Sequence, residues 1–278
     1  MIYNGNMGKM RDIKVMGIVN LTDDSYFAAS RCLGGNISDT IDRVLMRVDE
    51  MVAQGASIID IGSCSTRPGG EIIPEDLEWK RMATVLGPLR STFPDLSVSI
   101  DTFRSYVVER AYDVLGNFTV NDITAGEADA DMLPLVGSLG LGYVAMHSRG
   151  TPQTMQSMCD YDDVVMQVQS YFDEFAVRAM SFGVHEWILD PGFGFAKTID
   201  QNYELLKNLK QFTLEGHEVL VGVSRKSMIY KYLGLTQDDV LSATQVLHMK
   251  ALQEGASILR VHDVKEAIQT VNLYTKLL

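Results

Sequence analysis

The sequence predicts a single α/β domain, folded as a (β/α)8 barrel of parallel strands. About eight short apolar runs recur along the 278 residues, and most of the segments between them have helical periodicity. Apolar runs without polar alternation are typical of parallel strands that are covered on both faces. Strand-then-helix units in this number match the barrel. A doubly wound open sheet is the alternative, because strand order cannot be deduced from one sequence.

The predicted strands are the apolar runs that end in a polar or glycine-rich tail. Their lack of polar alternation fits burial against helices on one side and against the barrel interior on the other. In chain order they cover Val15–Asn20, Ile58–Gly62, Leu96–Thr102, Phe118–Asp122, Gly142–His147, Trp187–Asp190, Val219–Ser224 and Ala256–His262.

The predicted helices are the intervening segments with apolar residues at helical intervals. Asp39–Gln54 shows this spacing, and Gly55 then provides a stop. A short helix is also expected to begin near Ser227. No Pro/Ser-rich linker or low-complexity block interrupts the chain, so one domain over residues 1–278 is predicted. The other predicted helices are Glu75–Leu89, Tyr106–Val114, Tyr161–Phe182, Asn202–Phe212, Ser242–Gln253 and Val264–Leu277.

The chain is acidic, with a formal net charge of −12. A broad electrostatic grip on nucleic acid or anionic lipid depends on clustered Lys and Arg, so neither partner is predicted. An anionic ligand must therefore meet a local positive site.

The cysteines and the start of the chain predict a cytoplasmic protein. Cys32, Cys64 and Cys159 are odd in number and widely spaced, which predicts free thiols in a reducing compartment. The first residues lack the apolar region of a signal peptide, and no apolar run is long enough to span a bilayer.

Polar residues fall where the predicted strands end, and in a (β/α)8 barrel the carboxyl ends of the strands carry the chemistry. We therefore take these strand ends as the candidate site. The residues are Asn20, Asp60, Asp101, Asn121, His147, Asp190, Arg225 with Lys226, and Arg260 with His262.

Arg260 and His262 are two apart on the last predicted strand, so their side chains project from the same face. They could form a two-pronged cationic grip on an anion. The alternative is that His262 caps the next helix while Arg260 pairs with a neighbouring carboxylate. Lys226 and Ser227 precede the next helical segment, where backbone N–H groups suit a carboxylate or a phosphate, although a surface turn would also explain them.

Asp190 closes a strand and is followed by a loop that alternates glycine with Phe193 and Phe195. Glycines let backbone approach a ligand closely, and aromatic rings offer flat apolar walls. An amidine-like edge of a heterocycle would give the carboxylate two parallel hydrogen bonds. Asp101 and Asn121 could read the remaining polar edge of the same ring. The alternative is that each of these residues caps a following helix.

Two further segments have weaker signals. The glycine-rich loop that contains Thr66, Arg67 and Pro68 could bind a phosphate or could simply turn. Asn20 ends the first strand, and its side-chain oxygen is a suitable ligand for Mg²⁺, which keeps several waters and binds substrate phosphates.

Taken together, these residues resemble the dihydropteroate synthase family of pterin-binding (β/α)8 proteins, from about Lys14 to the C-terminus. The motifs appear in the order that the family shows. They are GASIIDIGSCSTRPG, SIDTFRSYVVERA, VNDIT, MHSRGTP, LDPGFGFAKT, VGVSRKS and LRVHDV.

The resemblance implies a cytoplasmic transferase of folate biosynthesis. It would join 6-hydroxymethyl-7,8-dihydropterin diphosphate to p-aminobenzoate, giving 7,8-dihydropteroate and pyrophosphate by an SN1-like course. It implies Mg²⁺ as cofactor, sulfonamides as competitors of p-aminobenzoate, and a homodimer.

The resemblance also implies a site for each part of the substrates. Catalysis would fall to Asp101, Asp190, Lys226, Arg260 and His262. The pterin would lie on Asp101, Asn121, Met146, Asp190 and Lys226. The diphosphate would lie on Arg260, His262 and Asn20, with Asn20 also holding the metal. The p-aminobenzoate would lie among Thr66, Arg67, Pro68, Phe195, Lys226 and Ser227.

Some positions depart from the family pattern. Cys64 stands where Glu is usual, and Ala196 stands where Gly is usual. The first loop departs at Asp23, Phe27, Ala28, Ala29 and Ser30, and we expect these changes to bear on loop closure over the p-aminobenzoate.

Three alternatives remain at this point. The methyltetrahydrofolate-binding domain of corrinoid methyltransferases shares the barrel and the pterin acids, but it needs no diphosphate grip. A non-catalytic pterin-binding module would keep the fold without turnover. A purely structural barrel would not need so many polar residues at its strand ends.

Overall fold

Eight parallel strands form a closed barrel in sequence order, with the first strand paired to the last. The computed structural model describes residues 12–21, 37–65, 70, 72–213 and 216–278. Closure confirms the predicted (β/α)8 class and excludes the open sheet. The strands are β1 Lys14–Asn20, β2 Ile58–Gly62, β3 Ser97–Asp101, β4 Thr119–Asp122, β5 Gly142–Met146, β6 Trp187–Asp190, β7 Glu218–Val221 and β8 Ile258–Val261.

Helices follow the strands around the outside of the barrel. Every described strand and helix belongs to this one barrel. Short 3₁₀ turns lie at Met155–Ser157, Leu209–Thr213 and Gln237–Val240. The helices are α1 Ile37–Ala53, α2 Glu75–Thr92, α3 Ser105–Leu115, α4 Met132–Leu139, α5 Val164–Ser181, α6 Ile199–Lys207, α7 Ser227–Leu233, α8 Leu241–Gln253 and α9 Val264–Leu277.

The helix α4 is the element that the periodicity did not predict. Its eight residues contain Pro134 and Gly137, both of which weaken a helical pattern. Gly137 is required by packing, because a Cβ there would lie 1.9 Å from the carbonyl oxygen of Phe182, just after α5. The predicted helix Asn202–Phe212 is in fact α6 followed by a 3₁₀ turn.

Two apolar layers hold the barrel together. Inside it, Met16, Val144, Leu220 and Ile258 are fully buried and pack with Ile58 and Ile188. The outer layer packs the opposite strand faces, among them Val19 and Ile61, against the helices. The inner layer fills the middle of the barrel, so polar residues beyond it can gather only at the two ends.

Two sequence-based expectations concern the environment of the protein. No helix in the described part of the chain is long and apolar enough to cross a bilayer. Cys64 and Cys159 are free thiols, as predicted, and Cys32 lies outside the described residues.

His248 links pH to stability through the contact between α8 and α9. It is fully buried, and its Nδ1 lies 3.1 Å from Oε1 of Gln245, which also accepts a hydrogen bond from Thr270 of α9. Burial lowers the pKa of His248 to about 4, and the nearby Asp263 opposes this shift. The unfolded chain therefore takes up a proton near pH 6.5, which the folded protein does not bind until the pH falls to about 4.

We expect this histidine to reduce the folding stability as the pH falls from 7 to 5. Relative to His248→Gln, the wild type should lose about 2 kcal/mol more of its unfolding free energy over that range. Urea denaturation of both proteins at several pH values measures the difference. Parallel stability curves for the two proteins would contradict the assigned pKa.

Candidate active site

Every second residue of a strand points into the barrel. The inward-pointing residues nearest the carboxyl ends of the strands surround the mouth of the barrel. The buried inner layer, which includes Met16 and Ile258, fixes the alternation on each strand. Following it toward the carboxyl ends brings most of the predicted site residues to the mouth of the barrel. They are Asn20, Asp101, Asn121, Met146, Asp190 and Arg260, and His262 continues the same alternation just beyond β8.

Arg260 bridges two acids across the mouth. Its Nε donates to Asp60 at 2.7 Å, and a terminal nitrogen donates to Asp101 at 2.7 Å. Burial lowers the pKa of Arg260, but the two carboxylates outweigh this effect and raise it above its usual value. Burial in turn raises the pKa of Asp101, and Arg260 opposes that shift. The structure thus shows the alternative considered for Arg260, because the guanidinium pairs with neighbouring carboxylates.

Asp60 is a strand-end residue for which the sequence predicts no specific role. It is fully buried, and besides Arg260 it accepts hydrogen bonds from Nδ2 of Asn121 at 3.2 and 3.3 Å. With Nδ2 bound to Asp60, the Asn121 amide offers its Oδ1 as an acceptor to a ligand. Asp60 lies two residues after Ile58 on the same strand, so both side chains point into the barrel. This alternation is the sequence signal that could have assigned Asp60 to the site.

Asp190 and Lys226 form a second pair of charges near the first. Burial raises the pKa of Asp190, with Lys226 opposing, and Oδ1 of Asp190 accepts from the Gly192 N–H at 2.8 Å. Burial lowers the pKa of Lys226 to about 8, with Asp190 opposing. A Cβ at Gly222 would lie 3.9 Å from both Nζ of Lys226 and Cβ of Arg260. The Lys226 ammonium and the base of the Arg260 side chain therefore flank one spot next to Gly222.

The two phenylalanines of the glycine-rich loop have different environments. Phe193 is fully buried in the outer core, so the prediction that it forms a wall of the site is wrong. Its carbonyl oxygen instead accepts a hydrogen bond from Lys226. Phe195 is half-buried, and the Lys226 Nζ lies 4.9 Å from its ring centroid. Phe195 is thus the aromatic face that this loop offers beside Lys226.

His262 is neutral in this geometry, which corrects the prediction of a second cation. Burial lowers its pKa to about 4, and the positive charge of Arg260 adds to the effect. Its Nδ1 lies 3.1 Å from the hydroxyl of Ser224. His262 does not cap the next helix either, because the N-cap of α9 is Asp263. Its imidazole can therefore act as a hydrogen-bonding group beside Arg260.

Several predicted strand-end residues have structural roles. Arg225 donates to both Asp263 carboxylate oxygens, at 2.8 and 3.0 Å, and so joins the end of β7 to the start of α9. His147 has the opposite alternation to Met146 and is buried away from the mouth against Lys197. Asp101, Asn121 and Asp190 do not cap the helices that follow them, whose N-caps are Arg104, Asp131 and Thr198.

The metal prediction depends on Asn20. Within the described residues, no three His, Cys, Asp or Glu side chains are grouped to hold a metal ion. Asn20 is half-buried at the end of β1, the strand between β2 and β8, and its register partner Gly62 adjoins Asp101. One amide oxygen at this strand end fits Mg²⁺ that is bound mainly by water and substrate phosphates.

The remaining predicted positions are Ser227, two loop segments and the two departures at Cys64 and Ala196. Ser227 begins α7, directly after Lys226. Thr66, Arg67 and Pro68 lie outside the described residues, as do Asp23, Phe27, Ala28, Ala29 and Ser30. Cys64 is buried, and Ala196 has a φ of 47°, a left-handed conformation that favours the glycine usual there.

Comparison with known proteins identifies the family. Residues 16–262 match the family model described as pterin binding enzyme. The dihydropteroate synthase of Haemophilus influenzae is 36% identical over 253 residues, which cover 90% of this chain and 89% of that protein. The chain belongs to the dihydropteroate synthase family of pterin-binding enzymes.

Solved structures of dihydropteroate synthases have the same fold. The Yersinia pestis enzyme with a sulfonamide drug has a TM-score of 0.89 and 32% identity, covering 96% of this chain and 94% of that one. The Thermus thermophilus enzyme with 4-aminobenzoate has a TM-score of 0.83 and 35% identity, covering 96% of this chain and 95% of that one. The structure of the same enzyme with 6HMPPP has a TM-score of 0.79 and 33% identity, covering 95% of this chain and 93% of that one.

Membership of the dihydropteroate synthase family confirms the resemblance and makes the chain a transferase. It excludes the purely structural barrel. The relatives that show the family are synthases and not corrinoid methyltransferases, which rules against that alternative. The geometry described above brings together the residues that the motifs carry, and these residues can now be assigned to parts of the substrates.

Proposed function

We propose that this chain condenses 6-hydroxymethyl-7,8-dihydropterin diphosphate with p-aminobenzoate, releasing pyrophosphate and 7,8-dihydropteroate in folate biosynthesis. One observation carries the proposal: Arg260 bridges two acids at the barrel mouth, and its charge acts on Asp190 at the end of β6 and on Lys226 before α7. The structure of the Thermus thermophilus relative with 6HMPPP supports the same substrate class.

The acids of the mouth suit the pterin ring. Asp101 and Asp190 are poorly solvated carboxylates that need donors, and the aminopyrimidine edge of a pterin supplies parallel N–H donors. Asn121 offers its Oδ1, and Lys226 offers N–H donors to a ring carbonyl or nitrogen. Met146 is buried next to Asp190 in the strand register and gives the ring an apolar contact.

The diphosphate would lie on Arg260 and His262, with Mg²⁺ held by Asn20. The fork of Arg260 is already at the mouth, and an incoming phosphate would compete with Asp60 and Asp101 for its N–H groups. The neutral His262 can donate a hydrogen bond, and a nearby phosphate would favour its protonated form. Mg²⁺ would neutralise part of the charge that develops on the leaving pyrophosphate.

The reaction follows from where the charges lie. The bond between the pterin methylene carbon and the diphosphate oxygen breaks first, as Arg260 and His262 stabilise the leaving group. The electron-rich dihydropterin stabilises the carbocation, and the carboxylates of Asp101 and Asp190 favour its positive charge. The amine of p-aminobenzoate then adds and loses a proton. That amine is neutral near pH 7, so no strong general base is needed and the course is SN1-like.

The p-aminobenzoate would bind beside the pterin, against Phe195 and Lys226, with its carboxylate near Ser227. The loop residues Thr66, Arg67 and Pro68 would complete this pocket. The Thermus thermophilus relative in complex with 4-aminobenzoate and the Yersinia pestis relative in complex with a sulfonamide support such a pocket. We propose that sulfonamides compete for it in this chain. We also keep a homodimer and a cytoplasmic location as predictions.

A coupled synthase assay tests the proposal. Purified protein should release pyrophosphate from the pterin diphosphate only when p-aminobenzoate and Mg²⁺ are both present, and dihydropteroate should form in equal amount. The matched control is the pterin alcohol without diphosphate, which should bind but give no product. Binding of the pterin without any dihydropteroate would overturn the proposal in favour of a non-catalytic pterin-binding module.

A further inference from the structure

Lys197 is a buried lysine in the connection between β6 and α6, and only 4% of it is exposed. Its Nζ donates to the carbonyl oxygens of Gly192 and Phe195, each at 3.0 Å, and the carbonyl oxygen of His147 lies 3.4 Å away. The fourth contact is Nδ1 of His147, at 2.9 Å. These partners are backbone oxygens and an imidazole, so the ammonium is held by neutral acceptors.

A buried ammonium without an adjacent carboxylate is costly to fold. Burial lowers the pKa of Lys197 to about 7, and the more distant Asp190 opposes this shift. Burial together with the charge of Lys197 lowers the pKa of His147 to about 2, so the imidazole is a neutral acceptor. A lysine in such surroundings points to a role other than stability.

The contacts of Lys197 join the connections that follow β5 and β6. His147 follows β5, and its N–H donates to the carbonyl oxygen of Asp190 at 2.9 Å. Gly192 follows β6, and a Cβ there would lie 1.9 Å from the His147 carbonyl oxygen, so this close approach requires glycine. Lys197 therefore closes a tight junction in which the backbone after β6 lies directly on the backbone after β5.

The loop held in this way carries the groups that face the second substrate. Phe195 is an anchor point of Lys197 through its carbonyl oxygen, while its ring lies beside Lys226. The carbonyl oxygen of Phe193, between the two anchored residues, accepts the hydrogen bond of Lys226. A shift of the loop would therefore move the Phe195 ring relative to Lys226, whose backbone is held at the N-cap of α7.

We propose that Lys197 is a positioning residue that sets the p-aminobenzoate side of the site through the loop Gly192–Phe195. This proposal rests on the proposed function, since it concerns the second substrate of that reaction. Asp190 belongs to β6 and is held by the strand ladder with β5. Losing Lys197 should therefore affect the acceptor pocket more than the pterin pocket.

The test compares Lys197→Met with the wild-type enzyme at saturating pterin diphosphate. We expect the KM for p-aminobenzoate to rise about tenfold, below the roughly hundredfold that a misplacement of about 1 Å can cost. Affinity for the pterin alcohol, measured by calorimetry, should change less than about threefold. An unchanged KM in an active, folded variant would overturn the proposal, as would an equal loss of pterin affinity.

A neighbouring substitution separates positioning from local instability. Thr198 is the N-cap of α6, with its side chain accepting from the Gln201 N–H at 3.2 Å, so Thr198→Ala loosens the same segment while keeping Lys197. Thr198→Ala should leave the KM for p-aminobenzoate near the wild-type value. A rise equal to that of Lys197→Met would contradict a specific role.

Two further results keep the outcomes distinct. Wild-type protein that makes no dihydropteroate would refute the proposed function itself, whereas an active wild type with an unaffected variant would refute only the role of Lys197. If Lys197→Met does not fold, Lys197→Gln keeps an N–H donor in a neutral side chain. Its KM for p-aminobenzoate should rise more than its kcat falls, and an unchanged KM would again overturn the proposal.

Discussion

Arg260→Ala is expected to lower kcat/KM by about 10²- to 10³-fold, which is roughly 3 to 4 kcal/mol of transition-state stabilisation. The reason is that Arg260 is the cation placed where charge develops on the leaving pyrophosphate. Its guanidinium is held at the mouth by Asp60 and Asp101, at 2.7 Å each, before the diphosphate arrives. Steady-state kinetics with both substrates measures the loss.

The same substitution also removes the partner of two acids, so folding must be checked alongside the kinetics. Asp60 is fully buried, and a buried carboxylate that loses its cation costs about 3 to 5 kcal/mol of stability. Arg260→Lys keeps the charge without the fork and should retain more stability than activity. Wild-type kinetics in a folded Arg260→Ala protein would refute the role of Arg260 in pyrophosphate release.

The barrel and most of its mouth were predictable from local patterns. Uninterrupted apolar runs mark the strands, and a polar residue at the end of each run marks the mouth. Strand alternation then places Arg260 and His262 on one side of β8. Each of these signals lies within a few consecutive residues, so a single sequence is enough to recognise it.

The unpredicted features depend on contacts between distant segments. The bond from Arg260 to Asp60 spans 200 positions of the chain, and no local pattern records it. Burial at the barrel mouth, together with the charge of Arg260, makes His262 neutral where the sequence indicated a cation. Lys197 binds mainly backbone carbonyl oxygens, which every residue has, so the sequence does not indicate its partners.

Loop conformation was the second limit on prediction. Gly192 and Gly194 have φ values of 71° and 83°, and each reverses the local direction of the backbone. The alternation rule of a strand does not hold through such residues. Phe193 therefore enters the core while Phe195 faces Lys226, although both look alike in the sequence.

The negative charges of the acids and the positive charges of the cations at the mouth stabilise one another. This arrangement also favours a cationic transition state. Burial raises the pKa of Asp190 and lowers that of Lys226, so each group depends on the other for its charge. A pterin bound beside both groups would take over part of this electrostatic interaction. The carboxylate is then left beside the carbocation that forms when pyrophosphate departs, which is where its charge helps most.

Asp190→Ala is accordingly expected to lower affinity for the pterin alcohol by about 100-fold. Two hydrogen bonds to a charged acceptor are lost, and losses of this kind amount to about 3 kcal/mol. Calorimetry with the alcohol measures the pterin ring alone, free of the diphosphate contacts. The pKa of Lys226 should also fall below its value of about 8, because Asp190 raises it more than Asp101 does.

The matched variant is Asp190→Asn, which keeps the volume and one acceptor oxygen. It should bind the pterin alcohol with intermediate affinity, and its kcat should fall more than its affinity does, because the negative charge beside the carbocation is gone. A pterin affinity that is unchanged in Asp190→Ala would place the ring elsewhere at the mouth. Equal kcat in Asp190→Asn and the wild type would remove the carboxylate charge from the mechanism while leaving its part in binding intact.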